Sequence, residues 1–372
     1  MVQIYKLQDW RQNLEKLRRK YNNILLIVSV SCNERFKVAN ELKLIFDSAK
    51  ISIISVKYFK SNFKSSENLS KKYLNETYDL IIGFGGGSTL DFAKFFISLK
   101  LLRINSSQVK EQKIKELKIN KKIDFIAIPT TAGSGSESTK FAVTYINGKK
   151  YSIENDILLP KKYILDPHLS FTCSKTQKIS SALDALCQAI ESSWSNNASK
   201  ESISYSFQSI KFIWENIETA ILKNDFKSHQ KILLGSNLAG KAINISKTTG
   251  PHALSYYISK KFKVSHGLSV ALTMPAFLDL HTQHIINNNP KSKKLTNSIK
   301  FLEKTMHTRK NNIAHTFKKK VKSLGISLNL LNFNIRKHNL FLISKSIDPV
   351  RLQNNPVELN SELIMKILTN SL

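Results

Sequence analysis

Cysteine is scarce: Cys32, Cys173 and Cys187 are the three in 372 residues, scattered and without a paired spacing. That excludes a disulfide framework and points to a reducing compartment. Long apolar runs are also missing. None approaches the roughly 20 residues of a membrane-spanning helix, and the first residues hold no apolar core of a secretion signal. A cytoplasmic protein with no membrane partner is therefore expected. Acidic side chains are few, 27 against 57 basic ones, giving a formal charge of +30. Arginine is sparse too, so lysine carries most of that charge, and Asn and Ile are abundant beside it. A coding bias toward A and T accounts for all three. The lysines at 110–122, 260–263 and 318–322 fall in unrelated segments, with no stripe interleaved with aromatics, which argues against a nucleic-acid partner. They are expected to form solvated faces whose field attracts anionic cofactors and substrates.

What is present is globular: 41% hydrophobic residues in a chain long enough for two cores. Asp79 to Lys94 (DLIIGFGGGSTLDFAK) reads as a buried strand, a turn of three glycines and the start of a helix. Gly85, Gly86 and Gly87 leave backbone N–H groups open, and Ser88 or Thr89 is expected to cap a helix whose positive end receives a phosphate. Upstream, Ile24 to Val30 and Ile51 to Val56 read as strands, with a polar surface helix at 9–20 and another helix at 34–49. A charged helix is expected at 107–119 and a strand at Ile123 to Ile128. This alternation predicts a parallel α/β domain over residues 1–167. Asn147-Gly148, between Phe141 to Ile146 and Lys149 to Ile153, predicts a hairpin with a type I′ turn.

After Asp166-Pro167 helical periodicity takes over, so residues 168–372 are expected to be all-helical. One helix covers 178–194. In the next, Ile203, Phe207, Ile210, Trp214, Ile217 and Ile221 form a core stripe. Residues 230–245 and 267–280 also read as helical. No internal repeat is present.

Two constellations carry chemistry. Ile128 to Glu137 (IPTTAGSGSE) gathers small hydroxyl and glycine residues at a strand's C-terminal end, where parallel sheets bind ligands. In the helical half, Asp184 and Gln188 share a helix face at i and i+4. His252 and His266 each stand at a helix start. One carboxylate, one amide and two imidazoles make a set suited to Fe²⁺ or Zn²⁺, while each residue alone is equally at home in a hydrogen-bonded core.

GGGSTLDFAK, IPTTAGSGSE, Asp166-Pro167, DALCQAIES, GPHALSY and HGLSVALTMP stand in the order typical of iron-containing (group III) alcohol dehydrogenases, which the chain resembles from about residue 20 to about residue 285. The resemblance implies a dehydroquinate-synthase-like fold, with NAD(P)H and a divalent metal in a cleft between an α/β domain and a helical one. It places the cofactor on Gly85, Gly86, Gly87 and Ser88, with Asp91 just beyond and Thr130, Thr131 and Ser134 lining the cleft. Asp184, His252 and His266 match three of the family's four metal ligands; the fourth, normally histidine, is Gln188. A further usual histidine is Tyr256, a phenol able to relay or donate a proton, with an ordinary pKa near 10.

DALCQAIESSWSNNAS, FAVTYINGKKYSI and GPHALSYYIS together look like the phosphonoacetaldehyde reductase branch of that family. The resemblance therefore implies NAD(P)H-dependent reduction of phosphonoacetaldehyde to 2-hydroxyethylphosphonate, in phosphonate biosynthesis. A dianionic phosphonate needs cationic partners, and Lys149 and Lys150 are the candidates, or else two solvated lysines among many. Ser31, Cys32 and Asn33 follow the first strand with Glu34 the one acid nearby, which leans toward NADPH over NADH. The alternatives are a group III dehydrogenase of ordinary small alcohols or lactaldehyde, then a dehydroquinate-synthase-like lyase or a non-catalytic nucleic-acid binder. The expected partner is a small aldehyde or alcohol, and a homodimer is allowed.

Overall fold

The computed structural model describes residues 9–57, 62–111, 113–117, 123–288, 293–347 and 352–372. By internal contact the chain divides into two units, Met1–Thr172 and Cys173–Leu372.

The first unit runs α1 (Trp10–Glu15), β1 (Asn23–Ser29), α2 (Val30–Phe36), α3 (Val38–Ile45), β2 (Lys50–Val56), α4 (Phe63–Ser70), β3 (Leu80–Gly85), α5 (Gly87–Ile97), α6 (Ser106–Lys110), β4 (Asp124–Pro129), β5 (Phe141–Ile146), β6 (Lys149–Glu154), β7 (Lys162–Tyr163) and α7 (Pro167–Phe171). Five strands form one parallel sheet in the order β2-β1-β3-β4-β7. Both faces of this sheet are covered, so its inner strands read as unbroken apolar runs. Leu25, Ile27, Ile81, Phe125 and Ala127 pack toward Phe92 and Phe96 of α5. Their neighbours Ile24, Leu26, Leu80, Ile82 and Ile126 pack on the other face with Trp10, Leu42 and Phe46. Chain order reverses between β1 and β3. In open parallel sheets the crevice at the C-terminal ends of such a strand pair is the ligand site.

Several local expectations need correction. The helix at the start is not a polar surface element. Trp10 and Leu14 are buried, Trp10 meets Phe84 edge to face at 5.1 Å, and the Trp10 backbone N–H donates to Asp166 Oδ2 at 3.2 Å. The helix expected at 34–49 is two, broken where Lys37 adopts a left-handed conformation. The charged helix expected at 107–119 is the short α6 and a 3₁₀ turn at Lys113–Glu116; residues 112 and 118–122 lie outside the described residues. The hairpin forms in the expected register, Ile146 opposite Lys149, with positive φ at Asn147 and Gly148.

Among the described residues the second unit is helical: α8 (Lys175–Trp194), α9 (Lys200–Leu222), α10 (Phe226–Ser246), α11 (Gly250–Phe262), α12 (His266–Ala271), α13 (Met274–Asn288), α14 (Lys293–Met306), α15 (Ile313–Ser323), α16 (Lys337–Lys345) and α17 (Ser361–Thr369), with short 3₁₀ turns between some of them. Ile210, Trp214, Ile217 and Ile221 are buried, as their stripe predicts, and Phe207 stacks on Phe301 at 3.9 Å. The 318–322 lysines are not uniformly solvated: Lys320 pairs with Glu218 at 2.6 Å and covers Trp214. α8 lies against α9, α10 and α12 and is buried along most of its length. Among the described residues no helix is long and apolar enough to cross a membrane.

Candidate functional site

In the first unit the glycine turn stands at the switch point of the sheet. Gly85 ends β3, Gly86 occupies the cap position of α5, and Gly87 opens the helix. No side chain caps α5, so the expected roles of Ser88 and Thr89 as caps do not hold. The helix starts before either of them. Ser88 is exposed, and Thr89 is buried with its side chain over Gly85. The positive end of α5 is therefore left to backbone groups, the arrangement that receives a phosphate.

The loop after β4 closes around this turn. Thr130 donates its N–H to Gly85 O at 3.0 Å, and its hydroxyl lies 3.4 Å from the Cys32 thiol after β1. A Cβ on Gly87 would meet Ser134 Oγ at 2.5 Å, and one on Gly86 would lie 3.4 Å from Thr131. The structure thus brings Gly85, Gly86, Gly87, Thr130, Thr131 and Ser134 together. Asp91 is engaged elsewhere: one carboxylate oxygen accepts from Ser136 Oγ at 2.7 Å and the other from Val143 N at 3.1 Å. It fastens the loop and hairpin to α5.

One residue beside it carries a larger role than the sequence suggests. Lys94 is fully buried, and its ammonium donates to Ser136 O, Ser136 Oγ, Thr139 Oγ1 and Phe141 O at 2.6–3.1 Å. A buried ammonium is tolerated when acceptors replace its hydration. Because Phe141 meets Lys94 and Val143 meets Asp91, β5 runs opposite to α5, and its turn points toward the helix's glycine end. Lys149 and Lys150 stand just after that turn, Lys149 exposed with its ammonium 5.8 Å from the Tyr151 ring centre.

In the second unit Asp184, His252 and His266 offer one carboxylate oxygen and two imidazole nitrogens, all within 4.8 Å of one another. His252 Nε2 is 3.3 Å from Asp184 Oδ1 and His266 Nε2 is 3.8 Å from it. Two imidazoles and a carboxylate form the donor set of Fe²⁺ and Zn²⁺ sites rather than of Mg²⁺ or Ca²⁺. Asp184 and His252 are buried, whereas His266 is about two-fifths exposed, at 42%. The residues present fit a divalent metal with an approach left open.

The helices create this cluster by close approach. A Cβ on Gly267 would fall 1.9 Å from Ser180 O and 2.8 Å from Asp184 Cβ, so glycine lets α12 lie directly on α8 and sets His266 beside Asp184. Gln188, one turn after Asp184, is buried and its amide hydrogen-bonds the Asp184 carboxylate. Tyr256, one turn after His252, stacks parallel to His266 with ring centres 5.9 Å apart.

Burial alone would raise the Asp184 carboxyl, but the imidazoles of His266 and His252 and the Gln188 amide hold it below its ordinary value. Burial pulls the His252 imidazole down, yet Glu191 and Asp184 push it up to about 9. Cys187 is raised well above the usual thiol range, by burial first and then by the Glu191 and Asp184 carboxylates, which leaves it unsuited to nucleophilic chemistry. Glu191 is a contact that sequence reading left unassigned, although it continues the Asp184, Gln188 face at i+7. It lies 2.5 Å from His252 Nδ1.

Residues 178–372 match the family model described as Fe-containing alcohol dehydrogenase family, C-terminal, and residues 3–167 match Iron-containing alcohol dehydrogenase. An aldehyde-alcohol dehydrogenase of Streptococcus pneumoniae is 33% identical over 207 residues, covering 53% of this chain and 23% of that protein. The chain spans from about a quarter to about half the length of the curated relatives it matches. Among solved structures, an iron-containing alcohol dehydrogenase from Thermococcus thioreducens superposes with a TM-score of 0.84 at 20% identity, covering 97% of this chain and 95% of that one. A sulfoacetaldehyde reductase from Bifidobacterium kashiwanohense, in complex with NAD⁺, gives 0.81 at 22% identity, covering 97% and 93%. These two likenesses concern the fold.

Proposed function

This chain belongs to the iron-containing alcohol dehydrogenase family, and from that premise we propose that it is an NAD(P)H-dependent, metal-assisted reductase of a small aldehyde, with phosphonoacetaldehyde as the leading substrate. The observation that carries the reading is the cluster of Asp184, His252 and the partly exposed His266, a carboxylate and two imidazoles within reach of one ion. A divalent metal there supplies Lewis-acid polarisation of a carbonyl oxygen, and a nicotinamide nucleotide supplies the hydride. The balanced reaction is aldehyde plus NAD(P)H plus a proton giving alcohol plus NAD(P)⁺.

The chain's own residues supply the rest. Asp184, His252 and His266 would hold the metal, with Gln188 supporting Asp184. Gly86, Gly87 and Ser88 present the positive end of α5 to the nucleotide pyrophosphate, and Thr130, Thr131 and Ser134 shape the loop around it. Tyr256, beside His266, is the nearby hydroxyl suited to passing a proton toward the product alkoxide. Lys149 and Lys150 are the cations proposed to meet the phosphonate.

The phosphonate assignment is supported by the sequence likeness of the DALCQAIESSWSNNAS, FAVTYINGKKYSI and GPHALSYYIS stretches to the phosphonoacetaldehyde reductases. Reduction of ordinary small aldehydes, the reverse of simple alcohol oxidation, fits the family membership and the relatives' names equally well. The test is NADPH and NADH oxidation by metal-reconstituted protein with phosphonoacetaldehyde, butyraldehyde and lactaldehyde at equal concentration. Selective turnover of phosphonoacetaldehyde, weakened when Lys149 and Lys150 become alanine, supports the leading substrate. Equal turnover of all three leaves a general alcohol dehydrogenase. Absence of oxidation with any metal removes the reductase reading.

A further inference from the structure

α8 places Asp184, Gln188 and, one turn further, Glu191 on one helix face. Glu191 is wholly buried, at 0% exposure, where an uncompensated carboxylate would be very costly. Among the described residues its one ion-pair partner is His252. The other compensation comes from Thr249, whose N–H donates to Glu191 Oε2 at 2.6 Å and whose hydroxyl lies 3.1 Å from the same oxygen. Trp194 Nε1 in turn donates to Thr249 Oγ1 at 3.2 Å. Thr249 occupies the N-cap position of α11, so the carboxylate also sits at that helix's positive end.

The consequence lies in the imidazole. A carboxylate wholly buried against Nδ1 holds a proton on that nitrogen, so when a metal displaces the Nε2 proton it is Nε2 that ligates. Nε2 is the atom that faces Asp184. Hydrogen bonds of this kind fix the tautomer and ring angle of metal-bound histidines. We propose that Glu191 is a positioning residue for the metal site: it selects the Nδ1–H tautomer of His252, aims Nε2 at the cluster, and so sets metal affinity. The inference rests on the reading that Asp184, His252 and His266 hold a divalent metal.

Glu191→Gln tests it. An amide offers one acceptor where the carboxylate uses two. Either its NH₂ group faces Nδ1, which forces the proton to Nε2 and blocks ligation, or it faces the Thr249 N–H and loses that bond. The expected result, on the full chain, is Zn²⁺ affinity weakened by roughly 10- to 100-fold, measured by competition with a chromophoric chelator. Thr249→Val removes one hydroxyl contact and keeps the Glu191–His252 pair, so its affinity should stay close to wild type.

A second measurement stands even where Glu191→Gln does not fold. In Zn²⁺-loaded wild-type protein with ¹⁵N-labelled histidine, the His252 resonances, assigned by comparison with His252→Gln, should show a protonated Nδ1 and a metal-bound Nε2. The reverse pattern overturns the inference. So does unchanged Zn²⁺ affinity in a folded Glu191→Gln protein while the wild type binds tightly. A wild-type chain that takes up no divalent metal overturns the metal reading itself, and this inference with it.

Discussion

At the scale of single residues, a glycine can be required by the chain itself or by what the chain holds, and Gly85 to Gly87 divide between the two. None of the three has a positive φ, so backbone strain does not decide the matter. A Cβ on Gly85 would press on the Thr89 side chain at 2.6–2.9 Å, and one on Gly87 on Ser134 at 2.5 Å. On Gly86 it would make an ordinary contact with Thr131 at 3.4 Å. The fold therefore demands glycine at the outer two positions and not at the middle one. Gly86→Ala should leave stability within about 0.5 kcal/mol of wild type, yet weaken NADPH binding, because the added methyl would stand where the backbone is proposed to approach the pyrophosphate. Gly87→Ala should cost about 1–3 kcal/mol by displacing Ser134. Thermal melts and nucleotide fluorescence titrations separate the two, and a Gly86→Ala protein that binds NADPH normally would remove that approach from the account. The sequence marked this turn clearly. It could not say which glycine serves which purpose, since Ser134 arrives from another crossover.

Between elements, the cluster depends on how closely α12 lies on α8. Gly267→Ala puts a methyl into the Ser180 carbonyl and against Asp184. α12 must retreat, and His266 goes with it. The expected outcome is a stability loss of about 1–3 kcal/mol or more together with weakened Zn²⁺ binding. Chelator competition and melts in EDTA read these separately, and unchanged metal affinity would show that the helix contact does not set the site. The i, i+4 spacing of Asp184 and Gln188 was legible because one helix carries both. Glu191 extends that face just as visibly, but its meaning depends on Thr249 and His252, about 60 residues away, which no local pattern connects. Asp91 shows the opposite case. A motif position beside the glycine turn suggests the cofactor, and the structure spends both oxygens on Ser136 and Val143.

Over the whole molecule, the change from an α/β part to a helical part was readable, because burial on two faces and burial on one stripe leave different periodicities. Sheet order was not readable, since parallel strands pair at long range. Nor was the protonation balance of the core, which decides how the protein meets acid. His281 and His229 are buried in the helical unit, and burial depresses them to about 3 and about 4, with the neighbouring His284 and Lys178 adding to the effect. His281 also accepts at Nε2 from Asn355 Nδ2 at 3.2 Å, a bond made by the neutral ring. In the unfolded chain both histidines take up a proton below about pH 6.5. Their folded values are depressed, so stability is fully present above that pH and is lost as pH falls toward 4 and then 3. Each histidine contributes a slope of about 1.4 kcal/mol per pH unit inside its window. The +30 surface adds self-repulsion in the same direction. His281→Gln removes one titrating group and keeps a polar side chain. Urea unfolding at pH 7.5, 6, 5 and 4.5, with EDTA present throughout, should show the wild-type advantage over this variant shrinking by about 1.4 kcal/mol per unit below pH 6. A constant difference across that range would mean that His281 is charged, or exposed to solvent, in the native protein.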